Sequence, residues 1–513
     1  MIKIDQHLNA LVACDQAVGG LSLPLSPARP KTSKEQRGAI GIMFALLIFV
    51  LFGFMAFALD LSRMYNRKVE LQALADAAAI AAANQLRGTN AGVVQALSAA
   101  LTESNNFRYE YRKSSVTWSN TAIKFSSSAT APESAWVDFG SALTAPQGLL
   151  FAKVDTSALD RQYGTVDTIF MRILPDGQAT AVTGATAIAG RSSINVVPLA
   201  ICALSPIQAN PRSNVGPPAN VELEEFGFRR GVGYDLMKLN SGPPATAENF
   251  VIDPIAPLGS VGSSSNTAVA VVGPFVCTGR IPKARVTGST IAVSRPFPIG
   301  SLFNQLNSRF DQYASGDCKS YQAPPDTNVK AYFSSTSVPW MSPSPGIYQT
   351  ADTWTHAGHL YTRASPPLPP AGTTAAMYGP LWSFAKAVPF SSYVAGVPEP
   401  AAGYATFGTA AWKTLYNAGQ GFNSYPAATP YAAGTSPNFQ GPSPANGPGI
   451  RLRRVLNVPL LLCPVGAGTN VTATVLGIGR FFMTVPATNT TISGEFAGLV
   501  PEESLGGPVE LVK

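Results

Sequence analysis

Residues able to carry catalysis or bind metal are scarce in this chain of 513 residues, which contains only three histidines. Two of them, His356 and His359, stand three apart, a spacing that suits zinc when both lie on one helix face. They fall in a glycine-containing loop sequence without an adjacent cysteine or carboxylate. No phosphate-binding GxxxxGK[ST], GxSxG elbow or HExxH pattern occurs. The sequence therefore predicts no metal, no cofactor and no enzymatic activity.

Cysteine is the other chemically informative residue. Cys14 lies near the start of the chain, and four cysteines follow much later, at Cys202, Cys277, Cys318 and Cys463. An even number suits two disulfides in an oxidising compartment. The alternative is that all four are buried free thiols.

Two of these cysteines end similar strand-like segments. The segments ending at Cys202 and Cys463 share the pattern Val-Pro-Leu-x-x-Cys, and such continuous apolar runs suit strands buried on both faces. Strands so alike could lie side by side in a central sheet, bringing Cys202 near Cys463 and leaving Cys277 to pair with Cys318. This nested pattern is our hypothesis. Sequential pairing, Cys202–Cys277 with Cys318–Cys463, is the alternative, and the likeness of the two segments is short enough to arise by chance.

An uncharged stretch near the N-terminus runs from Ile40 to Leu59. Twenty helical residues span roughly 30 Å, the thickness of a bilayer's hydrocarbon core. We therefore predict a membrane-spanning helix. The alternatives are a buried core helix and a signal peptide cleaved after the small-x-small sequence at 56–58.

The helical pattern does not stop at the end of the apolar stretch. Apolar residues recur at helical spacing after Leu59, and neither proline nor glycine interrupts the chain before Gly88. Asp60 and Arg63 stand three apart on one face, where they can pair. The sequence predicts one helix that leaves the membrane and continues as an alanine-rich stalk over 72–86. The stalk packs on its own domain or, alternatively, against sister subunits.

Basic residues flank the span on both sides. Their excess on the N-terminal side predicts a cytoplasmic N-terminus and an exported C-terminal part. The overall charge of +7 is not concentrated in one region, so no nucleic-acid partner is expected. The basic residues before the span are Arg29, Lys31, Lys34 and Arg37, and those after it are Arg63, Arg67 and Lys68.

Short motifs occur in a distinctive order around the span. Arg-Gly-Ala-Ile begins at residue 37, Ala-Leu-Asp-Leu-Ser-Arg-Met-Tyr occupies 58–65, Glu-Leu-Gln 70–72 and Ala-Asp-Ala-Ala-Ala 75–79. This order resembles the N-terminal segment of TadE/TadG-like proteins of the tight-adherence (Flp) pilus assembly machinery, and the length of the chain resembles TadG-like members. The motif positions are Gly38, Asp60, Arg63, Gln72 and Asp76.

The resemblance implies a single-pass protein of the bacterial inner membrane with a cytoplasmic N-terminus and a periplasmic or surface-exposed domain. It implies a non-enzymatic role in anchoring or assembling the pilus. The expected partners are the lipid bilayer, other Tad/Flp proteins or pilins, and sister copies through the stalk helix. One alternative is a minor or tip pilus subunit, or an adhesin. A second is an anchored envelope enzyme, for instance one acting on peptidoglycan.

The sequence departs from the pilin-like pattern at the processing site. Pilins and TadE-type pseudopilins carry Glu at the fifth position after the cleavage-site Gly, whereas Met43 and Leu46 stand five after Gly38 and Gly41. We therefore expect a permanent anchor that prepilin peptidase does not cleave.

A second departure concerns the metal-binding von Willebrand A domain found in some TadG-like proteins. Its Asp-x-Ser-x-Ser loop is only approximated by Asp155 to Leu159, where Leu replaces the last Ser. No strongly apolar strand is evident before Asp155, so no cation site is predicted.

The expected fold is a membrane-anchored α+β protein: a long transmembrane and stalk helix, then a mostly β exported domain with a loop-rich insertion. Strands are predicted at 116–118, 122–125, 135–139, 168–173, 221–228, 268–277, 285–294 and 471–485, and helices at 91–103 and 302–313. The predicted divisions are a cytoplasmic leader 1–37, the span and stalk 38–88, the exported domain 89–338, a Pro/Gly/aromatic-rich subdomain 339–450 and C-terminal strands 451–513.

The subdomain 339–450 combines aromatic residues with very few charges. Its rings are expected to fill an irregular core, and contact with glycans or another protein is the alternative that would support an adhesin. Directly after it, Arg451, Arg453 and Arg454 are interpreted as a basic patch on a sheet edge. The tryptophans concerned are Trp340, Trp354, Trp382 and Trp412.

Overall fold

The computed structural model describes residues 37–109, 114–146, 148–173, 178–214, 220–240, 242–243, 245–332, 348–365, 371–416 and 425–512. The predictions made for leader residues 1–36 and for Trp340 lie outside the described residues. The helices are α1 Arg37–Gln85, α2 Asn90–Asn106, α3 Phe139–Thr144, α4 Arg161–Gly164, α5 Val269–Thr278, α6 Ile299–Asn307, α7 Trp412–Leu415 and α8 Pro430–Ala433.

The strands are short apart from β18. In chain order they are β1 Arg108–Tyr109, β2 Ser114–Ser115, β3 Ile123–Ser126, β4 Phe151–Asp155, β5 Thr165–Asp167, β6 Thr180–Val182, β7 Thr186–Arg191, β8 Leu199–Cys202, β9 Asn210–Asn214, β10 Asn220–Glu225, β11 Phe228–Arg229, β12 Gly233–Asp235, β13 Asn249–Ile252, β14 Thr290–Ser294, β15 Thr353–His356, β16 His359–Thr362, β17 Val455–Leu461, β18 Asn470–Met483, β19 Ser493–Leu499 and β20 Val509–Leu511.

Helix α1 is one uninterrupted helix of 49 residues, about 70 Å long. Its C-terminal half packs with α2 on a four-stranded antiparallel sheet of order β20-β7-β4-β3. Alanine side chains are small, so the helix lies close to the sheet. The stalk therefore packs on its own domain. The buried α1 residues in this core are Ala75, Ala78, Ala79, Ala82, Ala83 and Leu86.

Five strands of the larger sheet close into a barrel. The first part of β18 pairs with β14, and its second part pairs with β17. Strand β17 pairs in parallel with β8, where Leu461 lies opposite Cys202, and β8 reaches β14 through β13. The two Val-Pro-Leu-x-x-Cys segments are therefore neighbours, as predicted. Strand β19 pairs with the second part of β18 on the edge opposite β17, and β12 pairs with β19.

Several aromatic residues described in the segment 339–450 join the hydrophobic core that packs on β8, β17 and β18. Trp382 and Trp412 are fully buried in the same core as Val458 and Phe481. The two indole rings meet edge to face at 4.8 Å between centroids. Trp382 Nε1 donates a hydrogen bond to the Tyr416 hydroxyl at 2.7 Å. These rings fill an irregular core.

Helix α5 replaces the strand predicted at 268–277, so that prediction was wrong. A short, continuous apolar run does not distinguish a strand from a buried helix. In the fold Val272 and Val276 lie one turn apart on the buried face of α5. Gly279, in the left-handed conformation with φ of 72°, ends the helix.

The strands predicted at 116–118 and 135–139 were also wrong. The first run makes no ladder, and the second makes only an isolated bridge at Val137 before α3 begins.

The interpretation of the arginines at 451–454 as a patch on a sheet edge was also wrong for Arg454. Its side chain is fully buried, and its guanidinium lies 4.4 Å from the ring centroids of Phe310 and Phe482. Its Nε and Nη2 donate to the Met483 carbonyl at 3.0 and 2.7 Å. Arg454 is a structural residue of the core.

A buried carboxylate holds the aromatic segment to the sheet. Glu495 of β19 is fully buried, and its Oε2 accepts from Ser383 N at 2.6 Å. Its Oε1 accepts from Phe384 N at 2.8 Å and Ala385 N at 2.7 Å. Burial raises the pKa of Glu495 from 4.5 to about 7, although these three N–H groups favour the charged form.

This raised pKa predicts that stability falls as the pH rises. Between pH 4.5 and about 7, Glu495 keeps its proton in the native state, whereas in the unfolded state it has released it. The resulting stabilisation is complete below pH 4.5 and is lost as the pH rises to about 7. We expect the melting temperature of the detergent-solubilised protein to fall between pH 5 and pH 7.5, and to fall less in Glu495→Gln.

The matched control is Glu510→Gln, because Glu510 is exposed on β20. It should keep the wild-type slope of melting temperature against pH. Equal slopes in wild type and Glu495→Gln would show that Glu495 does not titrate in this range.

Candidate functional site at the membrane-proximal junction

The first part of α1 exposes an apolar surface. Phe44, Phe49 and Phe54 are 64%, 78% and 71% exposed. Among the described residues, α1 is the one helix long and apolar enough to cross a bilayer. Water does not stably cover an apolar surface of this extent, whereas lipid does. The chain is therefore anchored through this helix.

Asp60 is the first charged residue after the span, and it is only 1% exposed. Its Oδ1 accepts a hydrogen bond from Ile169 N at 2.9 Å. Its Oδ2 accepts from Phe170 N at 2.8 Å and from Met171 N at 2.7 Å. An unpaired buried carboxylate is costly, and hydrogen bonds to a charged group are among the strongest. Asp60 therefore fixes this loop to the end of the span.

This contact explains why residues 168–173 do not form the predicted strand, and that prediction was wrong. Successive N–H groups of the loop point to one carboxylate, whereas the N–H groups of an edge strand alternate in direction. The segment instead follows β5 as a loop and ends in a 3₁₀ turn at Met171–Ile173.

Two arginines further along α1 bind the polypeptide leading into this loop. Arg63 Nη1 donates to the Asp167 carbonyl at 3.1 Å. Arg67, which is buried, donates from Nη1 to the Tyr163 carbonyl at 2.9 Å. Positions 60, 63 and 67 share one helix face. Asp60 and Arg63, expected to pair, each bind backbone groups of the domain that follows α1.

The next polar positions connect the stalk to the sheet. Gln72 Nε2 donates to Asp76 Oδ1 at 2.7 Å, one helical turn away. The same nitrogen donates to the Thr186 carbonyl at the start of β7, at 3.3 Å. Gln72 therefore connects the stalk to the sheet, whereas Asp60, Arg63 and Arg67 lie on a different side of α1 and contact the loop.

An apolar groove lies directly on the membrane side of this junction. Phe170 and Met171 line it together with Phe52, Ala56 and Leu59 of the span, and its volume is about 400 Å³. The side chains of the loop thus lie beside helix residues that belong to the bilayer. This loop of the domain that follows α1 therefore lies beside the apolar end of the span.

Both cysteine pairs of the nested pattern are bonded in the structure. Cys202 joins Cys463 with 5.6 Å between Cα atoms, and Cys277 joins Cys318 with 5.7 Å. Glu248 lies beside the first pair, forming the one group of three potential metal ligands among the described residues. Two of those ligands are disulfide sulfurs, which lack the thiolate that binds metal.

The histidine pair lies on a β-hairpin. His356 and His359 are opposite each other across the two-residue turn between β15 and β16. The ring centroid of His356 lies 5.3 Å from that of Trp354, and the ring centroid of His359 lies 6.1 Å from that of Tyr361. The hairpin therefore presents four neighbouring rings.

Asp155 differs from the prediction in one respect. A buried strand, β4, does precede it, contrary to our interpretation of the sequence. Its Oδ1 accepts from Ser157 N at 2.9 Å and from Ser157 Oγ at 2.6 Å. Leu159, at the position of the missing Ser, is 5% exposed. Asp155 thus caps a 3₁₀ turn.

Part of this chain matches a protein-family model. Residues 38–85 match the model of the Tad family of TadE/G-like Flp pilus-assembly proteins. These residues form a TadE/G-like segment. The comparisons with curated proteins and with solved structures return no match.

The TadE/G-like segment coincides almost completely with α1. It contains Asp60 and Arg63, which contact the loop region, Gln72, which contacts the sheet, and Asp76, which accepts a hydrogen bond from Gln72. The partners of Asp60 were not predictable, because backbone N–H groups carry no sequence signature. The one available signal was the apolar triplet Ile169 to Met171 between polar neighbours.

Replacing Asp60 tests the junction. In Asp60→Asn the charge is lost and an amide N–H₂ faces the loop N–H groups, so the loop should separate from α1. Trypsin cleavage after the exposed Arg172 should then accelerate about tenfold or more in the solubilised protein, since each hydrogen bond to a charged group contributes roughly 1.5–3 kcal/mol.

Asp167→Asn is the matched control, because it removes an exposed carboxylate of the same region. Its cleavage rate should equal that of the wild type. Equal rates in Asp60→Asn and wild type would contradict the role of Asp60.

Proposed function

We propose that this protein is a non-enzymatic envelope component of Flp/Tad pilus biogenesis that anchors or assembles the pilus. The observation that carries the proposal is the TadE/G-like segment at residues 38–85. That segment is one helix that spans the bilayer and then forms part of a core with α2 and the four-stranded sheet. A helix embedded in both places is suited to hold the exported domain at the membrane.

We further propose that the N-terminus is cytoplasmic and that the exported domain is periplasmic. The basic residues that flank the span favour this orientation. The two disulfides support it, because they belong to an oxidising compartment. In intact spheroplasts, trypsin added outside should cleave Asp60→Asn after Arg172. Protection of that site in intact spheroplasts, with cleavage after lysis, would contradict this orientation.

The anchor is proposed to be permanent. No Glu stands at the fifth position after Gly38 or Gly41, where Met43 and Leu46 are found. Helix α1 also passes both glycines without a break. Retention of the span suits an assembly component of the inner membrane better than a subunit released into a fibre.

One observation supports the tip-adhesin alternative. The β15–β16 hairpin presents Trp354, His356, His359 and Tyr361 as neighbouring rings, and Trp354 and Tyr361 are 5.3 Å apart. Half-exposed rings of this kind suit contact with sugars or another protein. The burial of Trp382 and Trp412 excludes these two rings from such a contact. For the envelope-enzyme alternative, no arrangement among the described residues gives comparable support.

Deletion of the coding sequence in the native bacterium tests the proposal. An assembly component predicts that surface pili, counted by electron microscopy, disappear while the pilin remains in the membrane fraction. Full-length protein supplied in trans should restore them. Normal numbers of pili with lost attachment would favour the adhesin instead. Unchanged pili and attachment would contradict both functions.

A further inference from the structure

A polar pocket of about 410 Å³ lies between the C-terminus of α5, the turn after α6 and the start of β17. Four arginines line it: Arg280, Arg309, Arg451 and Arg453. Its other polar side chains are neutral, and no carboxylate is among its lining residues.

The inner arginines are held by neutral groups. Arg453 Nη1 and Nη2 donate to the carbonyls of Thr278 and Cys277, each at 2.8 Å. Arg309 Nη2 donates to the Val276 carbonyl at 3.0 Å. These carbonyls end α5, whose dipole supplies only about half a negative charge. The Asp326 carboxylate acts on Arg453 and opposes the effect of burial on its pKa, whereas no carboxylate among the described residues acts on Arg309, so the positive charge of Arg309 is incompletely balanced.

Arg309 is the less satisfied of the two. It is 1% exposed, and its Nε has no hydrogen-bond partner in the described structure. Burial and the neighbouring Arg453 lower the pKa of Arg309 well below its usual range. By contrast, the buried Arg229 and Arg230 have carboxylate partners, Glu222 at 2.8 Å and Glu225 at 2.7 Å.

Because residue 279 is glycine, no side chain occupies the space beside the two guanidinium groups. A Cβ at Gly279 would lie in that space, 3.0 Å from Arg309 Nη2 and 3.5 Å from Arg453 Nη1. Outside them, the exposed Arg280 is oriented by Asn195, whose Oδ1 accepts from its Nε at 3.0 Å. Arginine side chains thus line the pocket from its buried end to its exposed edge.

We propose that this pocket binds an oxyanion group, a phosphate or a carboxylate, carried by a ligand of the envelope. Planar guanidinium groups match both oxyanions geometrically, and binding would balance the buried charge of Arg309. Phosphorylated and uronic-acid polymers share this chemistry. The inference does not depend on a role in pilus assembly.

Titration of the full-length protein in nanodiscs tests the pocket, with inorganic phosphate and glucuronate as separate probes followed by calorimetry. Saturable binding is expected for at least one probe, and it should weaken as ionic strength increases. Tighter binding of phosphate indicates a phosphorylated ligand, and tighter binding of glucuronate indicates a uronic acid. Absence of saturable binding for both probes would overturn the proposal.

Variants at the edge of the pocket locate the binding. Arg451→Gln and Arg280→Gln alter exposed side chains, so both should fold, and each should weaken binding about fivefold or more. Arg161→Gln removes an exposed arginine of α4 and should bind like the wild type. Unchanged binding in both edge variants would overturn the proposal.

Arg309→Met distinguishes a binding residue from a structural cap. If Arg309 is an unbalanced buried cation, the variant should lose anion binding, and without anion it should melt at the wild-type temperature or above. A lower melting temperature with unchanged anion affinity would show that Arg309 only caps α5, and would contradict its role in the pocket.

Discussion

The structure depends on one helix that is stable in two different surroundings. The first part of α1 exposes phenylalanine and leucine side chains to lipid, and the last part buries alanines against a sheet. No break separates the parts, so the helix that fixes the chain in the bilayer also belongs to the core of the domain that follows it. The position of the domain over the membrane is therefore set by a continuous helix and by the contacts of Asp60, Arg63 and Arg67.

Buried carboxylates recur as the means of fixing loops in this protein. Asp60 accepts three successive backbone N–H groups, and Glu495 does the same for the aromatic segment. Asp253 accepts N–H groups from Ile255, Ala256 and Ser263. A domain rich in irregular backbone must satisfy many buried N–H groups without a ladder. A carboxylate satisfies several of them at one point.

The features predicted from sequence were those with a repeating or composition-based signal. The span, the continuous stalk and the adjacent strands before Cys202 and Cys463 follow from hydropathy and from a shared pattern. Helix α5 was missed because its apolar run has no distinct period. The loop that binds Asp60 was missed because its ligands are backbone groups, and the burial of Arg454 was missed because its acceptors are carbonyls distant in sequence.

Hydrogen exchange of the full-length protein in nanodiscs is the most direct test of the claim that one continuous helix joins bilayer and domain. Amides from Asp60 to Leu86 should form one slowly exchanging block, because they are helical and held against the domain that follows α1. A rapidly exchanging stretch between Leu61 and Leu71 would reveal a hinge there. That domain would then be tethered to the membrane rather than fixed on it, and the account would be contradicted.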